Sequence, residues 1–249
     1  MASDSDPLMW GIFALIAGIA IFVKSFSWRS LKNLIENTPT SKIRSLAMGI
    51  VEIYGEAVPA RNGFIKSPFS GADCVYCIWE IFHWQQGKHG GRWVSEKRGI
   101  VGNKFYVRDD TGVVMVNPEG ASTEIPVDYS SETLDQNATN FMTSAGVSHK
   151  GMLGFKRKMK VEERYIAPGD KLYIMGTAGN NPDAAGARDH TSNIMIQQGD
   201  NDKTFFISDT SEKQVLDKLR WKVAGGMYGG AGLIVVGLLI IFARLGMLF

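Results

Sequence analysis

A long apolar run near the N-terminus constrains the fold of this chain more than any other feature. It extends from Leu8 to Val23, which as a helix is about 24 Å long, and Phe26 and Trp28 lengthen it toward the roughly 30 Å of a bilayer core. No polar residue interrupts the run, which disfavours a helix buried in a soluble core. Acidic residues precede it, where a secretory signal carries basic ones. We therefore predict that residues 1–28 form an uncleaved transmembrane anchor.

A second apolar run begins at Val223 and has enough length before Arg244 to span a bilayer. We predict that residues 210–249 form a helix that leads into a C-terminal transmembrane anchor. Small residues four apart allow close helix approach and a homo-oligomer, although glycine is also simply frequent in membrane helices. The pairs are Ala14 with Gly18, Gly225 with Gly229, and Gly226 with Gly230.

Basic residues lie on the same side of both runs, between them. Because an excess of Lys and Arg marks the cytoplasmic side of a membrane span, we predict a two-pass integral membrane protein with a cytoplasmic central domain, residues 29–209. The basic residues are Lys24, Arg29 and Lys32 after the first run and Lys213, Lys218, Arg220 and Lys222 before the second, against Arg244 alone beyond it.

The central region is long enough to bury a core of its own. The formal net charge of +2 selects no class of partner, and only two cysteines are present. A disulfide framework is therefore excluded, and a reducing compartment fits the composition.

The stretch KFYVRDDTGVVMVNP, Lys104–Pro118, predicts a β-hairpin. Apolar residues alternate on both sides of Asp109–Gly112, whose residue types favour a turn. An Asp-Thr-Gly tripeptide also occurs in aspartic proteases, where two carboxylates share one proton. Only one copy is present, and the following Val113 lacks the hydroxyl usually found there, so the turn interpretation is favoured.

Further alternating stretches predict a mainly β domain with short helices, in the α+β class. The predicted strands are Gly49–Pro59, Cys74–Trp84, Arg92–Val101, Thr123–Val127, Phe155–Ile166, Lys171–Ala178 and Phe205–Ile207. Short helices are predicted over Ser27–Glu36, near Thr40 and after Asp209, which forms a reciprocal capping box with Glu212. Polar composition predicts mobile or irregular loops over Asp128–Gly154 and Gly179–Asn193.

Cys74 and Cys77, with His83 and His89 downstream, raise the possibility of a zinc site or a redox dithiol. Residues three apart in a strand point to opposite faces. We therefore expect the two thiols to lie apart, with Cys77 in an inward row with Trp79 and Ile81, and we predict no metal site.

Several short motifs follow one another in a recognisable order between the two apolar runs. They are VEIYGEA, KSPFSGADCVYC, a tryptophan-containing strand, RDDTG, APGDKLYIMGTA and FFISDTSEKQVLDKL. This arrangement resembles the GIDE domain, also called the beside-a-membrane domain, over almost the whole chain. The family is known from mitochondrial E3 ubiquitin ligases, in which the domain lies between two membrane spans and a RING domain follows the second.

The resemblance implies this architecture without its catalytic half. A RING needs Cys and His ligands for two tetrahedral zinc sites, whereas the two cysteines here lie far upstream of that position. We expect the chain to stop where a RING would begin. No nucleophile elbow, phosphate-binding loop or zinc-protease helix is present in the sequence, so we predict no catalytic residue and no cofactor.

The run of strands also resembles small OB-like barrels, many of which bind oligonucleotides through aromatic and basic faces. Trp79, Trp84 and Trp93 are candidates for base stacking. Trp79 and Trp84 fall on opposite faces of one strand, however, so at least one should lie in the core. Nucleic-acid binding is therefore disfavoured.

A basic cluster precedes the strand that ends at Ile166, and we take Lys156, Arg157, Lys158 and Lys160 as a candidate lipid or partner surface. His149 and Lys150 belong to the same cluster. Anionic headgroups attract each nearby cation by about 1 kcal/mol, but lysines also protect exposed strand edges from aggregation, and both explanations stay open.

The sequence thus predicts a membrane-anchored binding or scaffold module of the GIDE type, related to E3 ubiquitin ligases and serving an unidentified protein partner. One alternative is a ligase whose catalytic part comes from a partner. The other is an OB-like nucleic-acid-binding protein at the membrane.

Overall fold

The computed structural model describes residues 7–60, 63–88, 90–102, 104–148, 157–184, 191–210 and 212–246. The chain forms two compact units: Met1–Pro39 together with Glu212–Phe249, and Thr40–Ser211. We call them the helical unit and the β unit and describe each by itself.

The described elements follow in chain order. The helices are α1 (Pro7–Asn37), α2 (Gln136–Ser144), α3 (Glu212–Ala224) and α4 (Gly230–Arg244), with a π-helical segment, Gly225–Gly229, between the last two. The strands are β1 (Gly49–Val58), β2 (Ile65–Lys66), β3 (Asp73–Cys74), β4 (Tyr76–Gly87), β5 (Gly90–Val101), β6 (Phe105–Arg108), β7 (Val113–Val116), β8 (Ser122–Glu124), β9 (Tyr129–Ser131), β10 (Met159–Ile166), β11 (Lys171–Asn180), β12 (Ile194–Gln197) and β13 (Phe206–Ser208). Short 3-10 turns occupy Ile43–Ser45, Pro182–Ala184 and Thr191–Asn193.

In the helical unit, α1 and the continuous helix Glu212–Arg244 are long and apolar enough to cross a membrane. The prediction of a separate helix over Ser27–Glu36 was wrong, because α1 runs unbroken through this region. Neither glycine nor proline lies between Val23 and Ser27 to end a helix. Ser25 instead donates its hydroxyl to the carbonyl oxygen of Phe22, 2.6 Å away within the same helix.

Glycines allow α1 and α4 to pack with their backbones close together. A Cβ on Gly18 would lie 2.9 Å from the carbonyl oxygen of Gly230, and one on Gly230 would lie 2.9 Å from the backbone nitrogen of Phe22. Gly226 also lies at the contact, against Ser25, whereas Gly225 and Gly229 face open space. Of the small residues predicted to permit close approach, these three glycines therefore do so within one chain.

The β unit is built on a closed barrel, which confirms the predicted OB-like, mainly β class. Five strands close in the order β1-β6-β7-β12-β11, because β1 pairs with β6 at one end and with β11 along Gly49–Glu56. β7 and β12 are parallel, while the other neighbours in the ring are antiparallel. The barrel encloses the larger core, which includes Ile53, Phe105 and Ile174, each fully buried.

A second sheet, in the order β5-β4-β10-β9, carries the smaller core on one face. Trp79 and Ile81 of the predicted inward row line it, together with Val161 of β10. α2 covers these residues with Ala138 and Met142.

The loop predicted over Asp128–Gly154 was wrong where the structure describes it, since it contains β9 and α2. Asp135 caps α2 by accepting a hydrogen bond from the backbone N–H of Ala138 at 2.7 Å. Residues 149–154 of the predicted loop lie outside the described residues. The predicted loop over Gly179–Asn193 contains two 3-10 turns, and residues 185–190 also lie outside the described residues.

Most of the other predicted strands are confirmed with small shifts, among them β1, β5, β11 and the hairpin of β6 and β7. β12 was missed, and β10 begins at Met159, while the predicted start of this strand, Phe155, lies outside the described residues. α3 begins at Glu212, and because Ser211 lies outside the described residues, the capping box of Asp209 stays a prediction.

Candidate interaction surface

The candidate surface lies at the end of the second sheet where β4 and β5 meet. Lys160 stands opposite Phe82 in the β10–β4 ladder, and Trp84 stands opposite Trp93 in the β4–β5 ladder. The backbone N–H of Trp84 donates to the carbonyl oxygen of Lys158 at 2.9 Å, which continues the ladder by one step. Because strand side chains alternate, these five residues share one face, which we call the aromatic–lysine face.

The lysine ammonium groups lie over the aromatic rings of this face. The Nζ of Lys158 is 5.0 Å from the ring centroid of Trp84 and 5.2 Å from that of Trp93. The Nζ of Lys160 is 4.7 Å from the ring of Phe82 and 5.4 Å from that of Trp93. The two indoles meet edge to face at 5.2 Å. Each cation–π contact of this kind contributes about 0.5–1 kcal/mol of attraction where it is exposed. The contacts therefore hold the lysine side chains over the rings.

Carboxylates balance the charge of these lysines. Lys158 pairs with Glu132 at 3.1 Å and Lys160 pairs with Glu162 at 2.6 Å. The side chain of Lys158 is 57% exposed, whereas that of Lys160 is 18% exposed. The ammonium group of Lys158 is therefore the more accessible to a partner.

The structure separates the predicted basic cluster. Arg157 forms a two-point contact with Glu96, at 3.0 and 2.8 Å, and donates to the carbonyl oxygen of Ser148 at 3.2 Å. It belongs to this ion pair and does not stack on the tryptophans with Lys158. Lys156, His149 and Lys150 lie outside the described residues.

Trp79, one of the three tryptophans considered for base stacking, lies in the smaller core. It is 7% exposed and contacts Phe69 and Phe141 edge to face, with ring centroids at 6.4 and 5.2 Å. Only Trp84 and Trp93 come together on the surface, on the opposite face of the sheet, as the alternation predicts.

Three of the sequence motifs converge on a charged cleft of about 340 Å³ beside the barrel. Glu56 from VEIYGEA accepts from Lys171 of APGDK at 2.7 Å and from Arg108 of RDDTG at 3.0 Å. The Lys171 ammonium and then the Arg108 guanidinium lower the pKa of Glu56. The cleft carries as many carboxylates as cations, so it has no preference for a ligand of one sign.

The Asp-Thr-Gly tripeptide forms a turn rather than an acid–base pair. Asp110 is exposed and pairs with Lys42 at 2.6 Å. Asp109 accepts hydrogen bonds from the backbone of Ile43, Thr111 and Gly112, at 3.0, 2.7 and 2.9 Å. Burial raises the pKa of Asp109, but these hydrogen bonds outweigh it and leave the pKa below its ordinary value.

The chain bends at Val75, between Cys74 at the end of β3 and Cys77 in β4, and both cysteines are fully buried. The expectation that their side chains point apart stays a prediction. The bend is held by the backbone N–H of Val75, which donates to the carbonyl oxygen of Ile166 at 2.9 Å. Across the described ranges, no group of three or more His, Cys, Asp or Glu side chains is placed to hold a metal ion.

A buried carboxylate that sequence reasoning did not single out lies opposite Trp79 in the β10–β4 ladder. Glu163 is fully buried and accepts from the backbone N–H groups of Phe69 and Ser70, at 2.6 and 3.0 Å. It holds the turn of the KSPFSG motif against β10. Glu163 follows Met159 and Val161 at intervals of two residues, so it lies on the same face of the strand as these two apolar residues. This alternation was the signal in the sequence that could have indicated its burial.

A comparison with family models decides the relationship. The model of the GIDE family, described as E3 ubiquitin ligase, matches residues 86–242, more than half of the chain. The chain belongs to the GIDE family. No curated protein and no solved structure gave a significant match. The GIDE match covers Trp93, Lys158 and Lys160 of the aromatic–lysine face and most of α4, and it implies a function related to E3 ubiquitin ligases.

Proposed function

We propose that this GIDE chain is a membrane-anchored binding or scaffold module in ubiquitin-ligase chemistry, with its β unit in the cytoplasm. The family match supports the proposal because it extends from the second sheet of the β unit into the second apolar helix. The matched region thus combines most of the β unit with most of a helix long enough to span a bilayer.

The cysteines favour scaffolding over catalysis by the chain itself. A ligase that carries ubiquitin as a thioester needs an accessible thiolate, and both cysteines of this sequence are fully buried. A RING acts instead by positioning a loaded conjugating enzyme. The two cysteines and four histidines of the 249 residues are too few to complete two tetrahedral zinc sites.

Reconstitution tests this part of the proposal. The chain, with activating enzyme, a panel of conjugating enzymes, ubiquitin and ATP, should form no polyubiquitin above the ligase-free control. Polyubiquitin that disappears in Cys74→Ser or Cys77→Ser would make the chain a ligase. If activity arises only when a second protein is added, catalysis comes from that partner and the chain acts as its scaffold.

The cytoplasmic side is supported by the basic residues between the two apolar helices. Protease added to sealed, right-side-out cells should leave residues 40–210 intact, and the same protease should digest them after lysis. Cleavage in sealed cells would place the β unit on the other side of the membrane.

The aromatic–lysine face is our candidate for the partner surface. Its lysines are already paired with Glu132 and Glu162, which weakens attraction to anionic headgroups, whereas paired tryptophans with lysines over their rings suit a protein surface. A photo-crosslinking residue in place of Lys158 should yield protein adducts in cells, and one in place of the exposed Glu119, elsewhere on the β unit, should not yield the same adducts. Lipid adducts at Lys158 would assign the face to the membrane.

A further inference from the structure

One ammonium group of the aromatic–lysine face lies among two aromatic rings and a carboxylate. The Nζ of Lys158 is 5.0 Å from the ring centroid of Trp84 and 5.2 Å from that of Trp93. It is also 3.1 Å from Oε2 of Glu132. Indole rings and a carboxylate are groups by which proteins bind alkylammonium and guanidinium ions. We call Trp84, Trp93 and Glu132 the cation clamp.

The indole of Trp84 is held in place without help from Lys158. It lies directly over Gly91 of the neighbouring strand, where a Cβ would come within 2.2 Å of the ring. Its Nε1 donates to the side-chain oxygen of Gln86 at 3.1 Å, and its ring meets that of Trp93 edge to face at 5.2 Å. Glycine at position 91 thus provides the space for the ring, and we expect the clamp to stay formed when the ammonium group leaves.

The side chain of Lys158 can leave the clamp without movement of its backbone. The carbonyl oxygen of Lys158 accepts from the backbone N–H of Trp84 at 2.9 Å. Its side chain, in contrast, is 57% exposed and has a flexible four-carbon stem. Exposed cation–π contacts and surface ion pairs are individually weak. Another cation can therefore compete for the same rings and carboxylate.

We propose that the cation clamp binds a lysine or arginine side chain of a protein partner, and that Lys158 is a competitor for this site within the chain itself. Glu132 favours such a side chain over the quaternary ammonium of a choline headgroup. An ammonium or guanidinium group donates hydrogen bonds to a carboxylate, whereas a quaternary ammonium has none to donate. Trp93 also belongs to β5, which lies at the edge of the second sheet as described, where a peptide can approach. The proposal rests on the partner surface proposed above and names the chemistry of the partner.

Titration of the full chain in a non-ionic detergent tests the proposal. Tryptophan is replaced by 5-fluorotryptophan, and the fluorine NMR resonances of Trp79, Trp84 and Trp93 are assigned by single replacements with phenylalanine. The probe is the peptide acetyl-Gly-Lys-Gly-amide, and its control is the same peptide with glutamine in place of lysine. The lysine peptide should shift the resonances of Trp84 and Trp93 but not that of Trp79, which is buried in the smaller core. The glutamine peptide should shift none of them.

Variants of Lys158 test its role as a competitor. Lys158→Ala empties the clamp, so the midpoint of the titration should fall about tenfold. Lys158→Arg keeps a cation over the rings and should titrate like the wild type, whereas Gly91→Ala displaces the indole of Trp84 and should raise the midpoint. An equal midpoint in Lys158→Ala and the wild type, or no response of Trp84 and Trp93 to the lysine peptide, would overturn the proposal. An unchanged Trp79 resonance shows that a variant is folded, and if one is not, the wild-type comparison of the two peptides decides.

A titration with choline distinguishes a protein partner from a lipid headgroup. Choline should bind more weakly than the lysine peptide, and a response to choline alone would refute a protein partner. Failure of the clamp can also be told from failure of the partner surface. Protein adducts of the photo-crosslinking residue at position 158, without a response in the peptide titration, would refute the clamp and leave the partner surface in place.

Discussion

The buried carboxylate of Glu163 should be essential to the stability of the β unit. It accepts from two backbone N–H groups, of Phe69 at 2.6 Å and of Ser70 at 3.0 Å. Glu163→Gln keeps the shape but presents one amide N–H₂ to a backbone donor, so one of the two N–H groups loses its acceptor. A hydrogen bond to a charged group contributes about 1.5–3 kcal/mol, and an unsatisfied buried donor costs about 1–3 kcal/mol.

We therefore expect Glu163→Gln to reduce the free energy of unfolding by about 2–4 kcal/mol. For a domain of this size, that corresponds to a melting temperature lower by roughly 4–16 °C. The chain in detergent is heated and followed by circular dichroism, and hydrogen exchange reports the backbone amides of Phe69 and Ser70. Both amides should be protected in the wild type and exchange faster in the variant.

Glu162→Gln is the matched control, because Glu162 is the neighbouring residue on the same strand and faces the other side. It pairs with Lys160 and Arg164 in part-buried contacts between side chains, and a glutamine oxygen in its place can still accept from these side chains. The control should therefore melt close to the wild type. A Glu163→Gln variant that melts like the control, with the amides of Phe69 and Ser70 still protected, would refute the role of the carboxylate.

Three further predictions concern the helix pair, acid stability and metal content. Gly230→Ala should lower the denaturation temperature of the chain in detergent through overpacking of about 1–3 kcal/mol, whereas Gly229→Ala, in open space, should not, and equal effects would contradict the packing. Because the folded-state pKa of Asp109 is lowered, its contribution to stability is complete above the ordinary Asp pKa of about 3.9 and is lost as the pH falls through the lower folded-state value. Asp109→Asn should therefore make unfolding less dependent on pH in that acidic range, and an unchanged acid profile would exclude this. Elemental analysis of the purified chain should show no stoichiometric zinc, and one zinc per chain, lost in Cys74→Ser, would contradict that prediction.

Strands were predicted correctly from the sequence where burial of one face produces an alternation of apolar and polar residues. β1 and the β6–β7 hairpin alternate apolar and polar residues, and both form where predicted. β12 was missed because its four residues, IMIQ, are buried on both faces and carry no alternation. α2 was missed because its polar composition hides a narrow inward face, of which Ala138 and Met142 are buried.

The closure of the barrel and the contacts between strands distant in sequence depend on geometry that no local sequence pattern encodes. A sequence window shows that β1 is a strand, but not that it pairs with two neighbours and so closes the barrel. The bend at Val75 divides the strand predicted over Cys74–Trp84 into β3, which ends at Cys74, and β4, which begins at Tyr76. The aromatic–lysine face combines β4, β5 and the start of β10, which lie far apart in sequence.

The double pairing of β1 sets a limit on how this protein can be divided for experiment. The region that matches the family, residues 86–242, begins at the end of β4 and therefore leaves out β1 and most of β4. In a fragment with those limits, β6 and β11 would each expose an unpaired edge, and β5 and β10 would lose the strand that joins them. Exposed edges of this kind promote aggregation. A fragment made to express the β unit should therefore start before Gly49. The region that matches the family model begins at residue 86 and does not include all the strands of the barrel.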